Sequence, residues 1–173
     1  TTVPAQTTDD PSASDVRETD GYWMVQSNGT VHAFGGAENL GQPVGQMGSA
    51  TAVAIASHPN GGGYWVLASN GTVFAYGAAQ VHSPNNTAVL SPGEEITTIA
   101  PHPDGNGYWV FTTLGRAIAH GSAGHFGDLI TLGIPPVVPV IASSPTASGN
   151  GYYMVGGDGG VFNFGDAVYK GSV

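Results

Sequence analysis

The sequence has no cysteine and very little positive charge. Without cysteine, neither a disulfide framework nor a thiolate metal site is possible. Three Lys and Arg residues against twelve Asp and Glu residues give a net charge of −9. This charge disfavours nucleic acid and anionic membrane surfaces as partners, because both attract basic proteins. No stretch approaches the roughly 18 consecutive apolar residues that a membrane span needs.

Glycine and proline are abundant instead. The 28 Gly and 12 Pro residues recur at regular places, which is typical of many short strands joined by tight turns. The phrase Gly-Tyr-Trp or Gly-Tyr-Tyr opens four similar segments, at Gly21, Gly63, Gly107 and Gly151, so the period is 42 to 44 residues. Self-similarity at this period predicts a repeat architecture.

Each repeat carries a hairpin signal. The turns are predicted at Asn28-Gly29, Asn70-Gly71, Leu114-Gly115 and Asp158-Gly159. Asn-Gly between alternating apolar residues predicts a two-residue type I′ turn with positive φ at both positions, where Leu114 is a costly residue. This register would place Trp23 opposite Phe34 and Val25 opposite His32. Each hairpin would then have one bulky aromatic face and one smaller apolar face.

Further strands are predicted around each hairpin. A preceding strand is predicted at Thr51–Ser57, Ile96–Ala100 and Pro139–Ser143, and a short following strand near residues 39–40, 81–82, 125–126 and 168–169. Four short strands per repeat are the size of a propeller blade. The sequence therefore predicts an all-β, four-repeat β-propeller-like array with about four short antiparallel strands per repeat. It forms a single domain over residues 16–173, with repeats near 16–49, 50–93, 94–136 and 137–173.

The N-terminal segment is polar. Residues 1–15 contain two prolines and no apolar period, which predicts a flexible leader. Alternatively, the leader donates a strand to a sheet edge, its own or a neighbour's, through the assembly residues Thr2, Val3, Pro4, Ala5 and Gln6. The first repeat has only Asp15–Thr19 where its preceding strand should be. The ring therefore either closes with the N-terminal segment or leaves an open edge.

Two sets of recurring residues are candidates for ligand contact. The hairpins open with a tyrosine that either stacks on a sugar ring or packs the blades: Tyr22, Tyr64, Tyr108 and Tyr152. His58 and His102 occupy equivalent loops, with Ser144 as the third equivalent. These loop residues either approach a cation or shape the loop through hydrogen bonds, and the loop interpretation is favoured. No metal and no cofactor is predicted.

Catalytic patterns are not recognisable in the sequence. There is no Ser-His-Asp spacing, nucleophile elbow or phosphate loop. Glu94 and Glu95 are adjacent rather than opposed, so they do not form a glycosidase pair. We therefore expect no enzymatic activity.

The repeat resembles one seen in large secreted and surface proteins of high-GC Gram-positive bacteria. Its pattern is GYW-apolar-apolar-x-S-[ND]-G-G/T-V-F-x-F-G-[DA]-A, and the fourth repeat, from Gly159 to Ser172, matches the latter part best. The resemblance covers residues 21–173. In such proteins the array often accompanies hydrolase or adhesion domains, so the resemblance implies an accessory binding or structural role.

Together these features predict an extracellular or cell-surface protein, in keeping with the start at Thr1 and the low lysine content. The predicted function is that of a non-catalytic binding or adhesion module that recognises a glycan or a surface protein. The alternative is a structural subunit of a surface filament or layer, assembled by strand or tail exchange between copies of the chain.

Overall fold

The computed structural model describes residues 20–82 and 90–172, which form eleven strands in four small antiparallel sheets and no helix. The all-β prediction is therefore confirmed. The first sheet contains β1 (Gly21–Val25) and β2 (Val31–Gly35). The other sheets contain β3 (Ala52–Ser57), β4 (Gly63–Ala68) and β5 (Val73–Gly77); β6 (Ile96–Pro101), β7 (Gly107–Thr112) and β8 (Ala117–Gly121); and β9 (Val140–Pro145), β10 (Gly151–Gly156) and β11 (Val161–Gly165). The predictions for residues 1–15, Thr2–Gln6 and Asp15–Thr19 lie outside the described residues.

The Gly-Tyr-Trp strand occupies the centre of each three-stranded sheet. β4, β7 and β10 each pair with the preceding and the following strand of the same repeat. The strands predicted before the second, third and fourth hairpins are thus present as β3, β6 and β9. Each sheet lies within one of the predicted repeats.

The short strand predicted after each hairpin does not form, because residues 39–40, 81–82, 125–126 and 168–169 are irregular. Side chains hold these segments instead. The indole Nε1 of Trp23, Trp65 and Trp109 donates to the carbonyl oxygen 15 residues later, at 2.7 to 2.8 Å. Tyr153 makes the corresponding bond from its hydroxyl to the carbonyl of Val168, at 3.0 Å. The sheets therefore have two or three strands, and the prediction of about four was wrong.

The hairpin turns also differ from the predicted type. The amide of Gln26 donates to the carbonyl of Thr30, and the amide of Gly29 donates to the carbonyl of Gln26. This is the pattern of a type I turn followed by a glycine bulge, and Gly29 has a φ of 89°. The third repeat forms the same bonds between Thr112, Gly115 and Arg116. The residue before the glycine, Leu114 in that repeat, then occupies an ordinary type I position, and the expected penalty disappears.

The extra residue in the turn changes the register by one. Trp23 lies opposite Ala33, and Tyr22 lies opposite Phe34. A shift of one residue moves every side chain of the second strand to the other face of the sheet. The predicted pairing of Trp23 with Phe34 was wrong, because the bulge glycine lengthens the turn. Trp23 instead shares a face with Val25 and Val31, and Tyr22 shares the opposite face with Met24 and Phe34.

We name the two faces of each sheet by the aromatic residue that recurs on them from repeat to repeat. The Trp face of a sheet carries Trp23, Trp65, Trp109 or, in the fourth sheet, Tyr153, and the Tyr face carries Tyr22, Tyr64, Tyr108 or Tyr152. The Trp face of each sheet packs on the Tyr face of the next, with ring centroids 5.0 to 5.7 Å apart. Three apolar cores therefore fill the three seams between successive sheets. A sheet that is apolar on both faces is stable only when both are covered.

In the described part of the chain, the array has an uncovered sheet face at each end. Successive sheets contact each other, through β1 and β3, β3 and β6, and β6 and β9. Within the described ranges no closed ring forms between the fourth sheet and the first. The Tyr face of the first sheet and the Trp face of the fourth sheet are consequently the two sheet faces that no other described sheet covers.

Candidate functional site

The loop histidines shape the connection between the first two strands of their sheets. The amide of His58 donates to the carbonyl of Gly63, and its Nδ1 accepts from the amide of Asn60 at 3.2 Å. His102 does the same in the third sheet, so the predicted loop-shaping role describes both residues. The third equivalent is Thr146 rather than Ser144, because Thr146 makes the corresponding bond to Gly151 and Ser144 lies inside β9. The proline that follows both histidines made Ser144 look equivalent.

Each histidine ring also fills a seam between sheets. The His58 ring lies 5.3 Å from the Trp65 ring, and a side chain at Gly105 of the next sheet would collide with the imidazole. The His102 ring lies 5.4 Å from Trp109 and is closed off by Gly149 in the same way. In the second seam, between the second and third sheets, and in the third seam, between the third and fourth sheets, a flat ring is therefore held between a tryptophan and a glycine.

Among the described residues, the first seam contains the tryptophan and the glycine but no ring held between them. Gly61 is the counterpart of Gly105, and it faces open space among the described residues. A cleft of about 580 Å³ opens here between the first and second sheets, and its lining includes Asp20, Trp23, Glu38, Ser57, His58 and Gly61. The sequence places Val16 five residues before Gly21, where His58 precedes Gly63. Residue 16 itself lies outside the described residues.

The cleft combines an aromatic plane with hydrogen-bonding groups. The Trp23 indole is half-buried, and its bond to the Glu38 carbonyl, at 2.8 Å, fixes the ring orientation. Asp20 and Glu38 are exposed carboxylates in the lining. A concave site with an apolar ring and a few polar groups is suited to a small organic ligand. Carboxylates accept hydrogen bonds and disfavour anions, so hydroxyl or amino groups suit this lining.

Most of the predicted tyrosine positions are core residues. Tyr64, Tyr108 and Tyr152 are fully buried, and the Tyr152 hydroxyl donates to the carbonyl of Gly127 at 2.6 Å. Burial raises the pKa of Tyr152 to about 12. These three side chains have no surface from which to contact a glycan. Tyr22 is 57% exposed, but it lies on the Tyr face of the first sheet and does not line the cleft.

Of the predicted ligand residues, His58 lines the cleft, although its ring fills the second seam, and His102 does not line it. Sequence reasoning missed Trp23, Asp20 and Glu38. A signal for them was present, because the position five residues before the first glycine of each repeat is histidine at 58 and 102 but valine at 16. Comparing the repeats at that position identifies the seam that lacks an imidazole.

No protein-family model and no curated protein sequence matches this chain. In the part of the chain that the structure describes, no three His, Asp or Glu side chains come together in a way that could hold a metal ion. The same residues include no helix long and apolar enough to cross a membrane.

Proposed function

We propose that this chain is a non-catalytic, propeller-like binding module of the cell surface that recognises a glycan at the cleft between its first and second sheets. One observation carries the proposal. The cleft lies where the other two seams hold an imidazole between a tryptophan and a glycine. Its lining includes the corresponding tryptophan and glycine, Trp23 and Gly61, so it can accept a flat ring between them. The propeller-like description is supported by three-stranded sheets that stack face to face in chain order.

The ligand we propose is a neutral or amino sugar. The apolar face of a pyranose stacks on the Trp23 ring, since sugar C–H groups suit an aromatic plane. Asp20 and Glu38 accept hydrogen bonds from hydroxyl or ammonium groups. The net charge of −9 disfavours sulfated and sialylated glycans.

The test is a glycan array probed with the full chain, followed by calorimetric titration of the strongest ligand. Trp23→Phe keeps an aromatic core residue but removes the indole plane and its bond to Glu38, and the double variant Asp20→Asn, Glu38→Gln removes the carboxylates. We expect each to weaken binding about tenfold, which corresponds to about 1.4 kcal/mol. Glu95→Gln, at an exposed carboxylate outside the cleft, is the matched control.

Thermal unfolding of each variant separates loss of binding from loss of folding. Silence of the folded wild-type chain across a broad array would exclude the proposal. Binding that neither cleft variant weakens would place the glycan site elsewhere on the molecule and would equally exclude the cleft.

A further inference from the structure

Two of the internal seams share a contact between a glycine and two aromatic residues. Gly41 has a φ of 126°, its carbonyl accepts the Tyr64 hydroxyl, and Tyr76 packs over its Cα. Gly127 repeats this arrangement two repeats later, with a φ of 101°, the Tyr152 hydroxyl and the Phe164 ring. Glycine adopts a positive φ without strain, and its lack of a side chain lets the second ring pack against it. The glycine ends one repeat, and both aromatic residues belong to the Tyr face of the next.

Gly171 has the same position and the same conformation at the end of the fourth repeat. It follows Tyr153 by the interval that separates Gly41 from Trp23 and Gly127 from Trp109, and its φ is 116°. No described atom lies where a side chain on Gly171 would point. Beside it, a groove of about 490 Å³ runs along the Trp face of the fourth sheet, lined by Val155, Gly159, Val161, Lys170, Gly171 and Ser172.

The first sheet carries the matching aromatic residues. Tyr22 and Phe34 occupy the positions of Tyr64 and Tyr76, and their rings stack 5.0 Å apart at 20°. Tyr22, Met24 and Phe34 are 57%, 55% and 41% exposed. The equivalent Tyr64 is fully buried, because the first sheet covers it. The first sheet therefore presents the aromatic half of the seam contact, and the fourth repeat presents the glycine half.

We propose that two copies of this chain associate head to tail, with the Tyr face of the first sheet of one copy seated on the Trp face of the fourth sheet of the other. The Tyr22 hydroxyl donates to the carbonyl of Gly171 in the other copy, and Phe34 covers that glycine. Lys170 occupies the position of Phe126, whose ring lies 5.9 Å from Tyr152. Its ammonium group therefore makes a cation–π contact with the Tyr22 ring of the other copy. The contact continues the internal seams into a second molecule.

Such a contact joins two different surfaces, so it generates a ring when the rotation between copies closes and a filament when it does not. It provides an assembly route based on stacked sheets rather than on exchanged strands or tails. The contact does not involve the cleft between the first and second sheets, and it is independent of glycan binding.

The test is sedimentation velocity of the full chain over a concentration series, with one variant for each end. Phe34→Asp places a charge on the Tyr face of the first sheet. Gly171→Val places a branched side chain where Phe34 of the other copy would lie. The matched controls are Val137→Asp, at a fully exposed loop position, and Gly133→Val, at a second positive-φ glycine that faces open space.

We expect the wild-type chain and both controls to self-associate, and each end variant alone to sediment as a monomer. An equimolar mixture of the two end variants retains one intact head and one intact tail, so it should form a dimer and nothing larger. A wild-type chain that remains monomeric throughout would overturn the proposal. So would dimerisation of Gly171→Val alone, because that result would mean a contact between two first sheets.

Discussion

The carboxylate of Glu94 is buried, although it is charged. Arg116 holds it through two hydrogen bonds of 2.9 Å, donated by Nε and Nη2, and the Thr112 hydroxyl donates a third at 2.6 Å. Burial alone would raise the pKa of Glu94, but these hydrogen bonds and the amide of Ser91 lower it to about 2. The pair ties the loop before β6 to the turn before β8.

Removing Arg116 should be costly, because it leaves a buried carboxylate without its cation. We expect Arg116→Ala to lower the free energy of unfolding by about 3 kcal/mol. The double variant Glu94→Leu, Arg116→Leu should lose less than the single variant, since no buried charge remains. Urea denaturation at neutral pH measures both. A double variant less stable than Arg116→Ala would contradict this expectation. It would mean that losing both charged partners costs more stability than leaving the Glu94 carboxylate buried without its cation.

Sequence reasoning could not find this pair. Glu94 stood next to Glu95, and Arg116 followed a turn whose type was misjudged, so nothing in the spacing connected them. The burial of the repeated tyrosines was one of two interpretations that the sequence supported, because a recurring aromatic residue in an alternating strand is typical of a core. The signal for the cleft, valine at 16 where the next two repeats have histidine, was obscured because the histidine loops were aligned with Ser144, which lies seven residues before Gly151 rather than five.

At the scale of the element, the turn decides the register. Asn-Gly predicted a two-residue turn, and the observed hairpins use a type I turn with a bulge glycine. Both turns place glycine at positive φ, so the sequence alone supports either. The strands β1 to β11 were largely predictable from alternation, but which side chains share a face depended on a single residue of turn length.

Leu114 and Gly115 distinguish the two turn types. In the observed turn Leu114 needs no positive φ, so Leu114→Asn should change the free energy of unfolding by less than about 0.5 kcal/mol. Gly115 has a φ of 75°, and a side chain there would collide with Leu129. We therefore expect Gly115→Ala to cost at least about 1–2 kcal/mol, the cost of the left-handed conformation alone.

Gly133→Ala is the control for Gly115→Ala, because Gly133 has a φ of 67° and faces open space. The difference between the two alanine variants, measured by chemical denaturation, isolates the collision with Leu129 from backbone strain. Stabilisation of more than about 1 kcal/mol by Leu114→Asn would instead indicate a two-residue turn, in which Leu114 is strained.

At the scale of the whole molecule, the number of sheets followed from the repeat, whereas the sequence allowed both a closed ring and an open edge. The period predicts that each sheet covers a face of the next one. It does not predict what covers the Tyr face of the first sheet or the Trp face of the last sheet. Among the described residues, no sheet packs on the Tyr face of the first sheet or on the Trp face of the fourth sheet.

Folding lowers the pKa of several ionisable groups in different sheets. The amide of Asn106 donates to Asp104 at 2.7 Å and, with Ser122 and His102, lowers the pKa of that carboxyl to about 2. The pKa of Glu94 is likewise about 2. His120 is buried against Tyr108, with ring centroids 4.9 Å apart, and burial together with the nearby His82 lowers the pKa of its imidazole.

All three shifts destabilise the folded chain on acidification. A group whose pKa is depressed by folding takes up its proton more readily in the unfolded chain, so stability is lost as the pH falls below the unfolded pKa. For His120 the loss begins near the ordinary histidine value of 6.5. For Asp104 and Glu94 it begins near their ordinary values of 3.8 and 4.5 and continues to about 2.

His120 is therefore the group that should make the fold sensitive to mild acid. The equivalent positions carry Phe34, Tyr76 and Phe164, so His120→Phe keeps an aromatic ring that the repeat already accommodates. Between about pH 7 and about pH 5, either side of the ordinary histidine pKa, the wild-type free energy of unfolding should fall and that of His120→Phe should stay nearly level. Below about pH 4 both should lose stability together, because the carboxylates remain. Parallel urea-denaturation curves for the two chains across the upper interval would assign the sensitivity to another group.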